Sequence, residues 1–138
     1  MKILCLDIGD VHTGTALSDE LGIIATPHQT IATRDLEPWL TNIIGMRQIK
    51  QVVVGLPTTL RATESAQTIK TRKIFNQLQT RFNTATWHLW DERLSSKQAN
   101  RLHRPSAKKD KLKEHSFAAA VILQAYLEYA RIHNHPQD

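Results

Sequence analysis

Two acidic side chains in the sequence directly follow apolar segments, where a buried carboxylate needs compensation. Asp7 ends the apolar run of residues 3–6, and Glu92 follows a second apolar segment at residues 86–90. An ionised carboxylate is unfavourable in apolar surroundings unless hydrogen-bond donors, a cation or a metal ion face it. For Asp7 two interpretations stay open, backbone donors of the next turn or a divalent metal ion. For Glu92 they are an ion pair with Arg93 or a nearby lysine, and a share in that metal site.

A third candidate, His115, lies near the start of the last predicted helix. At about 100° per residue, one face of this helix carries His115 together with the apolar positions Ala119, Ile122 and Tyr126, opposite the polar stripe Gln124, Glu128 and Arg131. His115 therefore points toward the sheet if the helix includes it, and lies outside the helix if Ser116 is the cap. Its imidazole could bind a metal ion or transfer a proton near neutral pH, or be a buried or capping histidine.

The spacing Asp7-x-Gly9-x-x-x-x-Gly14 could place small residues and backbone amides near a phosphate. A similar turn occurs in ATP-binding proteins of the sugar-kinase and actin type, which close ATP between two such domains. This chain has the length of one domain, and it contains no Gly-x-x-x-x-Gly-Lys-Ser/Thr loop and no Gly-x-Gly-x-x-Gly fingerprint. The sequence therefore disfavours an ATPase, and we expect Gly9 and Gly14 to lie close to a phosphate of another substrate.

Length and composition narrow the class of protein. The 138 residues, 41% hydrophobic and 22% charged, are typical of one globular domain. A lone cysteine, Cys5, excludes an internal disulfide and a cysteine-based zinc site, and it suits a reducing cytosol. The N-terminal apolar run is too short for a signal peptide or a membrane span. We therefore expect a cytoplasmic protein.

Positive charge is concentrated in one stretch. The chain carries a formal charge of +5, yet residues 93–113 alone carry +7, so the remainder is slightly acidic. The basic residues of this stretch are Arg93, Lys97, Arg101, Arg104, Lys108, Lys109, Lys111 and Lys113. A nucleic-acid backbone is the expected partner, because each neutralised phosphate releases counterions. A solvated basic loop is the alternative.

Hydrophobic periodicity predicts a mixed α/β fold. Strands are expected at residues 2–8, 13–17, 23–31, 51–54 and 86–90, with Pro27 favouring an edge position for the third. Helices are expected from residue 36, capped by Asp35, over 64–82, from Ser95 or Ser96 to about residue 103, and over 117–133. The segment 104–113 has no apolar period and is expected to be mobile. The order βββαβαβα predicts a single domain at residues 1–138, a mixed β-sheet with helices on both faces.

Four motifs follow one another along the chain. They are Leu6-Asp7-Ile8-Gly9 with Gly14-Thr15-Ala16-Leu17-Ser18-Asp19, then Val53-Val54-Gly55-Leu56-Pro57, then Asp91-Glu92-Arg93-Leu94-Ser95-Ser96, and finally Ala118-Ala119-Ala120-Val121-Ile122-Leu123-Gln124-Ala125-Tyr126-Leu127. Through these motifs most of the chain resembles the bacterial YqgF family of pre-16S rRNA nucleases, which is related to the RuvC-type Holliday-junction resolvases. The family usually has Lys or Arg in the first turn, where this chain has His12 and Thr13, and an acid where it has His115.

The resemblance implies a ribonuclease-H-like fold and metal-assisted hydrolysis of a phosphodiester. Asp7 would contact two metal ions, Glu92 would bind one, and His115 would complete the site or accept a proton from water. Mg²⁺ or Mn²⁺ would be the cofactor. Arg93 would contact a phosphate, and the basic residues at 97–113 would bind the backbone of the partner. That partner would be structured precursor rRNA, in ribosomal precursor particles, or branched DNA.

Other classes of protein account for some of the same residues. A nucleic-acid-binding module without catalysis keeps the basic stretch and needs no chemistry from His115. A Holliday-junction-resolvase-like DNA nuclease uses the same acids on a different substrate. A structural domain or ribosome-assembly partner would satisfy Asp7 with backbone donors alone. We expect a nuclease, because Asp7 and Glu92 both lie within their motifs.

Overall fold

The computed structural model describes residues 2–58, 65–95 and 111–133, with Lys111 described by its backbone only. Five strands and three α-helices follow one another in this part of the chain. They are β1 (Ile3–Ile8), β2 (His12–Ser18), β3 (Ala25–Ala32), α1 (Leu36–Arg47), β4 (Gln51–Leu56), α2 (Ala66–Arg81), β5 (Thr86–Asp91) and α3 (Lys111–His133), with a short 3₁₀ turn, Thr33–Asp35, before α1. The predicted order of elements is confirmed.

The strands form one mixed sheet in the order β3-β2-β1-β4-β5. β1, β2 and β3 are antiparallel neighbours, whereas β1, β4 and β5 run parallel. The carboxyl ends of these three parallel strands therefore lie at one edge of the sheet, which we call the carboxyl edge. β3 is an edge strand, as Pro27 predicts, and its pairing with β2 shifts register between Gly14 and Ala16.

Helices cover both faces of the sheet, as the sequence predicts. α1 and α2 pack on one face, where large side chains such as Leu6, Leu40, Phe75 and Trp87 are buried. α3 packs on the other face over β1, β2 and β3, against smaller residues such as Cys5 and Ala16. The cap predicted at Asp35 is the N-cap of α1, but its side chain makes no capping hydrogen bond.

Two boundaries differ from the sequence prediction. β4 continues through Gly55 and Leu56, because these residues pair in parallel with Trp90 and Asp91 of β5. α3 begins at Lys111 rather than at residue 117, so His115 is within the helix and Ser116 is not its cap. The helix predicted for about residues 95–103 and most of the segment predicted to be mobile, residues 104–110, lie outside the described residues. No described helix is long and apolar enough to cross a membrane.

Candidate active site

Asp7 is the second-last residue of β1 and lies on the face of the sheet that α3 covers. It pairs across the antiparallel ladder with Gly14 of β2, and it shares its face with the buried Cys5, two residues earlier. Its carboxyl group is partly buried at the carboxyl edge. The predicted position of Asp7 at the end of a buried strand is therefore confirmed, and its charge needs a partner there.

The partner that the structure provides is Glu92, in the turn at residues 92–95 that follows β5. The two carboxyl groups lie close enough to shift each other's pKa. Burial, followed by the neighbouring Asp7 carboxyl group, raises the pKa of Glu92 to about 7. Burial also raises the pKa of Asp7, although His115 and Glu92 oppose that shift. Glu92 therefore keeps its proton under conditions in which a solvated glutamate would be ionised.

Gly55 explains how two strands that are not neighbours bring their acids together. β4 lies between β1 and β5 in the sheet, so Glu92 must reach across β4 to contact Asp7. A Cβ atom added to Gly55 would lie 3.0 Å from Glu92 Oε2, 3.3 Å from Glu92 Cγ and 2.7 Å from Ile122 Cδ1. The missing side chain therefore leaves the space that the Glu92 side chain uses. The sequence signal for this role is a glycine directly after a continuous run of valines.

His115 approaches Asp7 from α3. Its charge lowers the pKa of Asp7, which places the imidazole within electrostatic reach of the carboxyl pair. The backbone of α3 lies very close to β2 at this point, since a Cβ atom on Gly14 would be 1.9 Å from the carbonyl oxygen of His115. Gly14 is therefore a close-packing residue inside β2, and the predicted proximity of Gly9 and Gly14 to a phosphate stays a prediction.

A second histidine, His12, lies beside His115. The ring centroids of these two residues are 5.4 Å apart, with a tilt of 36° between the ring planes. His12 is the first residue of β2, and its carbonyl oxygen accepts a hydrogen bond of 3.0 Å from the Gly9 amide. The Gly9 amide is thus used within the turn, and His12 is the residue of the turn that faces α3.

Arg93 is bound by its neighbour Asp91. The Arg93 Nε atom donates to the Asp91 Oδ1 and Oδ2 atoms at 3.1 and 3.0 Å, and Thr58 Oγ1 donates to Asp91 Oδ1 at 2.7 Å. The Arg93 hydrogen bonds, followed by that of Thr58, lower the pKa of Asp91 to about 2. Asp91 therefore ties the end of β5 to the residue after Pro57. The predicted contact of Arg93 with a substrate phosphate stays a prediction.

The predicted basic stretch is only partly within the described residues. Lys113 is exposed in the first turns of α3, the backbone of Lys111 begins that helix, and Arg93 lies beyond β5. Lys97, Arg101, Arg104, Lys108 and Lys109 lie outside the described residues. Their proposed contacts with nucleic acid stay predictions.

The donor set of the site determines which metal ion it suits. Among residues 2–58, 65–95 and 111–133, no three His, Cys, Asp or Glu side chains form a ready-made metal site. The structure instead brings together two carboxyl groups with an imidazole nearby. Mg²⁺ is commonly bound by one or two carboxylates, with waters and substrate phosphates as the other ligands, so the Asp7–Glu92 pair fits that ion.

Two solved structures share the fold at low sequence identity. Thermus thermophilus RuvC in complex with a Holliday junction substrate aligns with a TM-score of 0.63 and 12% identity, over 96% of this chain and 97% of that chain. A fowlpox virus resolvase bound to Holliday junction DNA aligns with a TM-score of 0.52 and 14% identity, over 94% of this chain and 98% of that one. These likenesses confirm the predicted ribonuclease-H-like fold.

Sequence relatives are closer. A protein of Koribacter versatilis named "Putative pre-16S rRNA nuclease" is 37% identical, over 92% of this chain and 86% of its own length. A protein of Halothermothrix orenii with the same name is 35% identical, over 94% of this chain and 96% of its own length. The family model RuvX, described as Holliday junction resolvase, matches residues 1–129. The chain therefore belongs to the RuvX family of nucleases, which is the YqgF family that its four motifs predict.

Proposed function

We propose that this chain is a metal-dependent endonuclease that hydrolyses phosphodiester bonds of structured RNA during maturation of the 16S rRNA precursor. The observation that carries the proposal is the convergence of Asp7 and Glu92 at the carboxyl edge, where Glu92 lies against Gly55 of the strand between them and the pKa values of both acids are raised. Perturbed acids that converge at the carboxyl ends of strands are typical of functional sites in α/β proteins. The names of the sequence relatives support the substrate.

Asp7 and Glu92 are the residues that would bind the metal ion, which we propose to be Mg²⁺ or Mn²⁺. When bound, such an ion stabilises charge on the phosphate and increases the acidity of a water molecule. Asp7 and Glu92 would have to be ionised to bind such an ion, so Glu92 would give up the proton that it keeps below about pH 7. Gly55 gives Glu92 access to Asp7, and the close packing of Gly14 on α3 sets the position of His115.

His115 would act beside the pair rather than replace one of its acids. Its interaction with Asp7 favours the ionised form of that carboxyl group. An imidazole at this place can also accept a proton from water or join the metal ion, and it would favour Mn²⁺ over Mg²⁺ in the second role. We propose His115 as the third residue of the site on these grounds.

The test uses purified full-length protein with a precursor rRNA fragment and, separately, a four-way DNA junction, each with Mg²⁺, Mn²⁺ or EDTA. We expect metal-dependent cleavage of the RNA, and a loss of at least about 100-fold in Asp7→Asn and Glu92→Gln, since removal of a ligand removes the electrostatic stabilisation of the reaction. Glu114→Gln is the matched control, because Glu114 is an exposed acid one residue from His115.

Each result decides between the remaining functions. Cleavage of the junction alone would replace the RNA substrate with branched DNA, as the family description suggests. Binding of either nucleic acid without cleavage under any metal condition would identify a binding module. Cleavage that persists unchanged in Asp7→Asn, with circular dichroism showing a folded variant, would refute the proposed site.

A further inference from the structure

We propose that the outward face of α2 binds the phosphate backbone of the nucleic acid that reaches the carboxyl pair. This face consists of Lys70, Lys73, Gln77 and Arg81, and we call it the α2 face. The inference rests on the proposed function for its choice of partner. It adds a second contact surface, separate from the basic stretch at residues 93–113.

All charged residues of α2 are basic. The helix carries four basic residues, Lys70, Arg72, Lys73 and Arg81, and its sixteen residues include no Asp or Glu. Its buried side, formed by Thr68, Thr71, Phe75 and Leu78, packs on the sheet. Spacings of three and four residues place the α2 face opposite that buried side. The molecule therefore presents a cationic stripe to solvent on this helix.

The α2 face begins at the carboxyl edge. The N-cap of α2 is Ser65, whose side chain accepts a hydrogen bond from the Thr68 amide. The Thr68 hydroxyl donates to the carbonyl oxygen of Pro57, just past the end of β4. Lys70 Nζ lies 2.8 Å from the carboxylate of Asp10, in the turn that follows β1. From Lys70 to Arg81 the stripe is about 16 Å long at 1.5 Å per residue.

The present partners of the α2 face are exchangeable. The side chains of Lys70 and Asp10 are 58% and 60% exposed, and those of Arg81 and Glu37, whose contact is 3.3 Å, are 64% and 60% exposed. Exposed ion pairs of this kind contribute little to stability. A phosphate backbone can therefore replace these carboxylates at small cost, with a gain from the release of its counterions.

A nucleic acid fits the α2 face better than a second copy of this chain. Two copies related by a two-fold axis present the same patch to each other, so Lys73 and its neighbours would meet cations. A polyanion that enters the carboxyl edge for cleavage lies beside Lys70 and meets opposite charge along the helix. Charge complementarity and continuity with the carboxyl edge both favour a nucleic-acid backbone.

The experiment measures binding of a fluorescent RNA stem-loop, and of a DNA duplex of matching sequence, by anisotropy in EDTA over a series of salt concentrations. For Lys70→Gln/Lys73→Gln we expect weaker binding, by about tenfold, and a slope of log affinity against log salt that is smaller by about 2, one for each lost phosphate contact. Lys70→Arg/Lys73→Arg should restore both values, because it restores the charge.

Arg47→Gln/Lys50→Gln is the matched control, since it removes two exposed cations near the start of β4, at the opposite edge of the sheet. It should keep the wild-type salt slope to within about one half. An unchanged slope in Lys70→Gln/Lys73→Gln, an equal loss in the control, or a change in self-association measured by sedimentation in place of a change in RNA binding would overturn the proposal.

Cleavage assays separate this inference from the proposed function. If no metal ion supports cleavage but the salt slope falls as expected, the α2 face stands and the nuclease proposal fails. If cleavage depends on Asp7 and the salt slope does not change, the nuclease proposal stands and the α2 face fails.

Discussion

The two faces of the sheet are built in different ways, and the candidate site lies on only one of them. Under α1 and α2 the core consists of large aliphatic and aromatic side chains, among them Leu40 and Phe75. Under α3 the core contains more small residues, alanines and a cysteine, beside large ones such as Trp90, and at Gly14 the helix backbone meets the strand without a side chain between them. The face under α1 and α2 is a packed core of large side chains. On the face under α3, backbone and polar groups come close enough to position Asp7, Glu92 and His115.

This difference explains how a small domain can include a buried acid pair. Large side chains exclude water and stabilise the sheet through the area they bury, at about 25 cal/mol for each Å². Burial of the two carboxyl groups raises their pKa values, which is unfavourable for the folded state at neutral pH. The apolar area buried under α1 and α2 therefore offsets the unfavourable burial of the two carboxyl groups on the other face.

Gly14→Ala should have the largest effect on stability, because the added Cβ atom would collide with the backbone of His115 and Ser116 rather than with a mobile side chain. We expect a loss of about 4 kcal/mol or more in the free energy of unfolding, at the upper end for overpacking. Urea denaturation followed by circular dichroism measures it.

Gly45→Ala is the matched control for that substitution. Gly45 is within α1 and has no atom within 4 Å of an added Cβ, so alanine should stabilise the protein by about 0.5–1 kcal/mol. Equal effects of the two substitutions would contradict the difference between the faces.

Stability should decline with rising pH through the carboxyl pair, an effect of about 2 kcal/mol. The pKa of Glu92 is raised in the folded state from 4.5 to about 7, so the folded state binds this proton more tightly than the unfolded chain. This contribution to stability is therefore complete below about pH 4.5. It is lost as the pH rises through about 7, where the folded state releases the proton. Urea unfolding at pH 5 and pH 8 measures the difference.

Glu92→Gln should remove this decline, and Glu114→Gln should keep it, since Glu92 interacts with Asp7 and Glu114 is exposed. Mg²⁺ should stabilise the wild-type protein at pH 8 more than at pH 5, because cation and proton compete for the same carboxylates. The same pH dependence in wild type and Glu92→Gln would show that the pair does not hold the proton.

Gly55→Ala should have a small effect on stability and a specific effect on the site. The added Cβ atom meets the ends of two side chains, Ile122 and Glu92, which can move, so we expect a loss of about 1 kcal/mol. Glu92 would be displaced from Asp7, and metal-dependent cleavage should fall by at least about tenfold. Cleavage rates and the pH dependence of unfolding measure both effects.

Leu40→Val, on the other face, is the matched control for Gly55→Ala. Leu40 is fully buried in α1, so the substitution costs a similar amount of stability, about 1 kcal/mol. It should leave cleavage and the pH dependence of unfolding at wild-type values. A comparable loss of cleavage in this variant would mean that the site responds to stability alone.

Much of the fold could be predicted from local patterns. Continuous apolar runs predicted β1 and β4, Pro27 predicted an edge strand, and the inward face of α3 was predicted from a helical period that the buried Ala119 and Ile122 confirm. Boundaries were harder. The first turns of α3 carry lysines and no apolar period, yet the helix includes them because α3 packs on β2 from His115 onward.

The site was predicted in part. Asp7, Glu92 and His115 were chosen from their positions, and both Glu92 and His115 lie close enough to Asp7 to shift its pKa. Their joint role in a site stays a prediction. The predicted proximity of Gly14 to a phosphate stays a prediction, whereas its close contact with α3 from inside β2 was missed. The binding of Arg93 by Asp91 was also missed, although the two residues are only two positions apart. An i, i+2 contact depends on the turn after β5, which residue types alone do not specify.

The sequence by itself determined that Asp7 and Glu92 end apolar strands and so require compensation, because hydrophobic periodicity and the cost of burying a charge are local properties. It also determined the family, through four motifs in order. Only the tertiary structure decided that the two acids lie close together. β1 and β5 are not neighbours, and they share a site because β4 lies between them with a glycine at the crossing point. Strand order and close backbone packing arise from contacts distant in sequence, which no local pattern encodes.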